Sequence, residues 1–292
     1  MGDKALRLPA HYLVIIPDSA YLTRGLAACF TPGGGGKKGG KRGKKGDILL
    51  FACQKLNVPF FLFGSGGNLL AMPRTARASA GGICYHVMNR GNARETVFHS
   101  PSDYQAFVDL LAPACHRLPM RILAYCLMPN HVHLCLWPHQ DGDLGRWMQW
   151  LMTSHVRRHH RRYGGSGHVW GGRFKAFPAQ GDWHLLSVLR YIERNPLRAG
   201  LVDRAQDWTW SSLHRRLAPS PPAYLDPGPV PRPQDWLEWV HQPQSQEELD
   251  AIRLSIARGR PWGQEPWVRQ IASQLDLESS LRSRGRPKNE KK

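Results

Sequence analysis

The sequence predicts an α+β fold: a small antiparallel sheet of the ferredoxin-like kind, backed by helices. Three observations predict it. Residues 83–88, 121–128 and 130–137 are apolar strand-like runs, and Met128-Pro129-Asn130 is a tight turn that makes the last two a hairpin. Stretches with helical apolar spacing lie between the strands. The resulting order of strand, helix, strand, strand, helix, strand, helix is that of a split βαβ arrangement.

Each element has a local reason. Residues 83–88 (Ile-Cys-Tyr-His-Val-Met) read as the first strand. Ser100-Pro101-Ser102-Asp103 supplies helix-start chemistry, and Tyr104, Phe107, Val108, Leu110 and Leu111 then recur at helical spacing to about His116. After the hairpin a helix is expected from about Leu144 to Tyr163. Its apolar side is Trp147, Trp150, Leu151 and Val156, and Gly164-Gly165-Ser166-Gly167 stops it. Residues 169–177 read as extended, with Arg173 and Lys175 alternating against Phe174 and Ala176. A last helix runs from near Asp182 to Arg194 and ends at Pro196 and Gly200.

This predicts a catalytic-size domain over residues 72–217, a Pro-rich linker over 218–233, a small helical region over 234–282 and a basic tail over 283–292. Residues 1–71 look different. Their run of glycine, lysine and arginine from Gly33 to Gly46 has too little apolar content to build a core, so a low-complexity basic extension outside the fold is expected. Met72-Pro73-Arg74 reads like a natural start of translation, which would make those residues an upstream extension; a basic arm that adds DNA affinity is the other reading.

The chain of 292 residues carries a formal net charge of +18, which attracts polyanions and makes association salt-sensitive. No basic amphipathic helix with a bulky apolar face points to a membrane surface, and no apolar run is long enough to cross a bilayer. None of the six cysteines forms a CxxC pair, and Cys84, Cys126 and Cys135 fall in strand-like runs. They read as core thiols in a reducing cytoplasm, so a cytoplasmic, nucleoid-associated protein is expected.

Chemistry concentrates at two places. In His131-Val132-His133 the imidazoles alternate with one apolar residue on a strand, so both point to one face and offer two nitrogen ligands to one metal ion. An incidental His-x-His is the ordinary alternative. No nearby cysteine or carboxylate completes a closed zinc site, whereas Mg²⁺ or Mn²⁺ suits phosphate chemistry and imidazole favours Mn²⁺ of the two. On the last helix, Tyr191 and Asn195 are four residues apart and share a face. Tyr191 is a candidate nucleophile and Asn195 a candidate third ligand; equally, Tyr191 reads as a core-edge residue and Asn195 as a helix cap before Pro196.

The ordered set of Tyr85-His86-Val87 through Arg90-Gly91-Asn92, Met128-Pro129-Asn130-His131-Val132-His133, Gly167-His168-Val169-Trp170 through Arg173-Phe174, and Tyr191-Ile192 through Asn195-Pro196 and Arg198-Ala199-Gly200 resembles the REP-associated tyrosine transposases of the HUH superfamily. It spans residues 73–213, roughly half the chain. The resemblance implies that His131 and His133 are the metal-binding pair, Tyr191 the nucleophile and Asn195 the third ligand. It also implies cleavage and rejoining of single-stranded DNA beside short imperfect hairpins, through a 5′-phosphotyrosine, by a protein that is a monomer or a homodimer. The first 71 residues have no counterpart in that pattern.

Other cations fit a nucleic-acid substrate. Arg157, Arg158, Arg161 and Arg162, with His159 and His160 among them, form a dense patch that reads either as a solvated helix face or as a phosphate-tracking surface next to the site. Arg173 and Lys175 are further candidates. Gly285-Arg286-Pro287 resembles an AT-hook core that places Arg286 in a narrow minor groove, and Arg258-Gly259-Arg260-Pro261 repeats the theme. Two other functions compete: a non-catalytic DNA-binding regulator of palindromic repeats, and an RNA-binding module on the same sheet. The second requires exposed aromatics on the central strand, where His131 and His133 stand instead.

Overall fold

A computed structural model describes residues 79–282. The expectations for residues 1–71, for Arg286 and for the tail over 283–292 fall outside them. Four strands, β1 (Cys84–Arg90), β2 (Met120–Met128), β3 (His131–Pro138) and β4 (Lys175–Ala179), form one sheet in the order β2-β3-β1-β4. Every neighbouring pair is antiparallel. Between β1 and β2 run α1 (Pro101–Val108) and α2 (Leu111–Arg117), and between β3 and β4 runs α3 (Asp143–Tyr163). These are the two interleaved βαβ units that the order of elements predicts.

The sheet buries both faces, and strand alternation sorts the residues between them. Tyr85, Val87, Tyr125, Leu127, Val132, Leu134 and Leu136 pack against Phe107 and Leu111 of α1–α2 and Trp147, Met148 and Leu151 of α3. The other face carries Cys84, Met88, Cys126, Met128, Cys135 and Phe177. It is covered by Leu185, Val188, Leu189 and Ile192 of α4 (Trp183–Glu193). Each large apolar side chain buried this way contributes on the order of 2 kcal/mol. The cysteines predicted for the core are there: Cys84, Cys126 and Cys135 are buried free thiols.

Three expectations need correction. The helix predicted to run from Ser100 to His116 is two helices. Pro113 would remove the hydrogen bond to the Asp109 carbonyl from one continuous helix, so the chain breaks after Val108 and Pro113 falls in the first turn of α2. The strand predicted over 169–177 begins only at Lys175; Gly172, with φ of +124°, turns the chain before it. The proline-rich stretch over 218–233 is not a free linker. Leu225 bridges to Ile122, the Asp226 N–H donates to the Ile122 carbonyl at 2.9 Å, and Arg216 and Arg232 both donate to the Leu123 carbonyl at 2.7 Å. Leu123 sits at an irregularity in the β2–β3 register, and the segment covers the open edge of β2 there.

Beyond α5 (Asn195–Arg198) and α6 (Ser212–Arg216), the region over 234–282 folds as α7 (Trp236–His241), α8 (Gln246–Arg258), α9 (Glu265–Gln274) and α10 (Glu278–Leu281). It joins the same cores: Trp236, Val240 and Ile252 pack with α4, and Ile271 and Leu275 with the opposite cluster. Gly259, in the left-handed region at φ of +71°, ends α8, so Arg258-Gly259-Arg260-Pro261 serves as a helix stop. Arg260 pairs there with Glu265 at 3.5 Å.

Candidate active site

The imidazole face is built by register. On β3, His131 and His133 point to the α4 side, and antiparallel pairing sets Arg90 opposite His131 and Met88 opposite His133 on β1. Lys175 of β4 is opposite Met88, so it lies on the same face. The rings of His131 and His133 are 4.9 Å apart. Tyr191, buried on α4, sets its ring edge-on to His133 at 5.7 Å. The helix thus brings the candidate nucleophile to the histidine pair. Among the described residues the Tyr191 hydroxyl makes no hydrogen bond, which leaves its oxygen uncommitted.

Hydrogen bonds fix what each imidazole can offer. Asn130 Nδ2 donates to the Arg94 carbonyl at 3.0 Å, which turns its Oδ1 toward His131 Nδ1, 2.6 Å away. An amide oxygen only accepts, so His131 Nδ1 carries the proton and Nε2 keeps its lone pair. At His133, Nδ1 lies 2.9 Å from Nε2 of His86, a third imidazole buried on β1 and stacked on Phe177. When that bond runs from His133 to His86, His133 also presents a bare Nε2. Burial lowers the pKa of His131 to about 4, helped by the Arg90 and Arg198 charges. Burial likewise drives His133 well below its usual value, with His131, His86 and the same two arginines adding to it. His86 falls to about 3 through burial. All three rings are therefore neutral near pH 7, the state in which an imidazole binds a metal.

A divalent cation thus fits the two imidazoles. It does not fit Asn195 as the side chain stands. Asn195 Oδ1 accepts a hydrogen bond from Arg198 Nη2, and its buried Nδ2 has no partner. The amide oxygen expected to be a third ligand already faces a guanidinium, whose charge opposes a cation there, and the amide Nδ2 is a free donor. Among the described residues no group of three or more His, Cys, Asp or Glu could hold a metal ion. Any further ligand therefore comes from outside that set.

The arginines predicted to contact DNA are distributed unevenly. Arg157, Arg158, Arg161 and Arg162 are exposed on the last turns of α3, but α3 packs on the sheet face opposite the imidazoles. They are thus carried by a helix on the other side of the sheet from His131. Arg158 donates to the Ala106 carbonyl at 3.4 Å and Arg162 pairs with Asp103 at 3.3 Å, while Arg157 and Arg161 make no polar contact among the described residues. Arg173 and Lys175 are exposed at the start of β4. Trp147 and Trp170 are buried, and Trp150, Trp208 and Trp210 pack against the core, so none of these rings is free to stack on a base as it stands.

Sequence reasoning gives no role to His86, Asn130 or Arg198. His86 is within its reach, because strand alternation puts it on the same face of β1 as Met88 and Arg90. The partnerships of Asn130 and Arg198 depend on side-chain directions that no periodicity encodes.

Residues 79–195 match the family described as "Transposase IS200 like". This segment is thus similar to the IS200-like transposases. It contains His131, His133, Tyr191 and Asn195. Curated relatives agree. A putative REP-associated tyrosine transposase of Haemophilus influenzae is 30% identical over 112 residues, covering 35% of this chain and 63% of the relative. A REP-associated tyrosine transposase of Escherichia coli is 25% identical over 141 residues, covering 47% of this chain and 80% of the relative. This chain thus spans a little under two thirds of the Haemophilus protein. Among solved structures, a REP-associated tyrosine transposase bound to a REP hairpin matches with a TM-score of 0.42 at 22% identity, covering 56% of this chain and 96% of that one. No helix among the described residues is long and apolar enough to cross a membrane.

Proposed function

We propose that the IS200-like domain cleaves and rejoins single-stranded DNA through a covalent 5′-phosphotyrosine on Tyr191, using Mg²⁺ or Mn²⁺ held by His131 and His133. The observation that carries this reading is the Tyr191 ring seated 5.7 Å from His133, beside two neutral imidazoles. A tyrosine with a purely structural role has no need of such neighbours.

The Tyr191 oxygen attacks the scissile phosphorus as the bond from phosphorus to the 3′-oxygen breaks. The phenol proton leaves to solvent, and the departing 3′-oxygen takes one up. The phosphotyrosine bond retains the energy of the phosphodiester, so a 3′-hydroxyl reverses the step and strand transfer needs no nucleotide. The bound cation supplies charge neutralisation at a phosphate oxygen. Asn130 and His86 orient the imidazoles, and α4 holds the phenol rigidly against them. Arg90 and Lys175, on the imidazole face, attract the strand. The names of the curated relatives support REP sequences as the DNA class.

The test is to mix the protein with Mn²⁺ and single-stranded hairpin oligonucleotides and to separate the products under denaturing conditions. A covalent protein–DNA species is expected, and Tyr191→Phe abolishes it while leaving binding largely intact. An adduct that persists in the Phe variant overturns Tyr191 as nucleophile. Tight hairpin binding with no adduct in the wild type favours instead a regulator that binds repeats without cutting.

A further inference from the structure

Two buried donors lie unpaired beside the candidate nucleophile. The guanidinium carbon of Arg198 sits 4.4 Å from the centre of the Tyr191 ring. Its Nη2 donates to Asn195 Oδ1, and its Nη1 is buried with no partner. Asn195 is 4% exposed, and its Nδ2 is a second buried donor with no partner. Among the described residues Arg198 pairs with no carboxylate. Its charge nevertheless bears on both His131 and His133, which places it at the same site.

A buried donor without an acceptor costs stability, and a half-buried guanidinium without a counter-ion costs more. Two such donors, on side chains joined by a hydrogen bond, place N–H groups and positive charge next to Tyr191. An anion with several acceptor oxygens satisfies both at once, and a cation satisfies neither.

We propose that Asn195 and Arg198 together hold a non-bridging oxygen of a nucleic-acid phosphodiester, and that Asn195 binds substrate through Nδ2 rather than coordinating the cation. This rests on the reading of Tyr191 as the nucleophile, since the phosphate held is the one Tyr191 attacks. The pair acts by positioning. The guanidinium lies over the phenol ring and anchors the phosphate beside it, so nucleophile and electrophile share one support.

The test uses the whole protein and two probes. The first is Mn²⁺ alone, followed by paramagnetic broadening of imidazole resonances. Wild type and Asn195→Ala are expected to bind Mn²⁺ within about twofold of each other, whereas His133→Ala loses binding. A tenfold or larger loss in Asn195→Ala overturns the proposal, because the amide then ligates the cation. If His133→Ala binds Mn²⁺ as wild type does, the metal reading fails, and the second probe decides the proposal alone.

That probe is phosphate, without metal and with EDTA present. A single-stranded oligonucleotide and, separately, inorganic phosphate are titrated while the Asn195 side-chain amide and the Arg198 Nε–H are followed by NMR. Saturable shifts of both resonances with the oligonucleotide are expected, weakened about tenfold or more in Arg198→Gln. Asn195→Asp, which replaces the donor with a negative charge, is expected to lose the response while keeping Mn²⁺ binding. No saturable shift, or equal affinity in Arg198→Gln, overturns the proposal. Shifts with inorganic phosphate but not with the oligonucleotide overturn the phosphodiester assignment.

Discussion

Asn130 Oδ1 lies 2.6 Å from His131 Nδ1, and the bond from Asn130 Nδ2 to the Arg94 carbonyl leaves the amide no other orientation. A residue of the turn between β2 and β3 therefore decides which imidazole nitrogen His131 presents. Loss of such an orienting partner commonly weakens a metal site about 10- to 100-fold. Asn130→Ala is expected to lower Mn²⁺ affinity by that much while the fold persists, as read by Mn²⁺ titration and circular dichroism. Unchanged Mn²⁺ affinity would show that His131 needs no such partner.

Asp103 closes the start of α1. It accepts from the backbone N–H groups of His99 and Ser100 and from the Tyr163 hydroxyl at 2.6 Å, and it pairs with Arg162. Burial raises its pKa, but the bonds from Tyr163, Ser100 and His99 together hold it below the usual carboxylate value. A depressed acid contributes stability that is complete above its unfolded pKa near 4 and lost as pH falls through its folded pKa. Asp103→Asn is expected to cost about 2 kcal/mol at pH 7. Urea denaturation should show the gap to wild type closing below about pH 4; a constant gap would contradict the charge assignment.

His155 of α3 is buried against Phe98, Phe107 and Trp170, and burial above all pushes its pKa down to about 3. The unfolded chain takes up its proton near pH 6.5 and the folded chain does not, so stability declines as pH drops from about 6.5 towards 3. His155→Leu removes one such proton. Its stability should fall less steeply between pH 6.5 and 5 than that of wild type, in urea titrations at matched ionic strength. Identical slopes would mean that the ring is protonated in the native state.

Glu193, fully buried at the end of α4, accepts from Ser212 Oγ at 2.9 Å and from Trp236 Nε1 at 2.8 Å, with Arg232 3.8 Å away. It ties α6, α7 and the proline-rich segment to the helix that carries Tyr191. Glu193→Ala strands these partners and is expected to cost about 3–5 kcal/mol. Hydrogen exchange should show α7 and α4 losing protection together. If α7 opens while α4 stays protected, the two regions are not energetically joined.

Much of this is legible in the sequence, for identifiable reasons. Strand alternation puts His131 and His133 on one face, and helical spacing puts Tyr191 and Asn195 on another, because both periods are properties of single elements. The hairpin at Pro129-Asn130 and the helix start at Ser100 are legible in the same way. Relations between elements are not. The face of the sheet that α3 covers depends on how the crossover packs, so spacing alone does not say on which side the patch from Arg157 to Arg162 lies. The edge covering by Leu225 and Asp226 is hidden in a proline-rich composition that usually marks a spacer. The hydrogen bond from Arg198 to Asn195 joins two side chains whose directions no periodicity encodes.

The surroundings of the imidazole pair also bear on when the site is armed. Arg90 and Arg198 depress the pKa values of both rings, and no third acidic or imidazole ligand is at hand among the described residues. A divalent ion arriving alone is held there less firmly than one arriving with a polyanion. Under the proposed chemistry, ion and strand then each strengthen the other's hold by the same factor, as linkage requires. Under that chemistry the site would work best when ion and unpaired strand are present together, a safeguard written into charge balance rather than into a moving part.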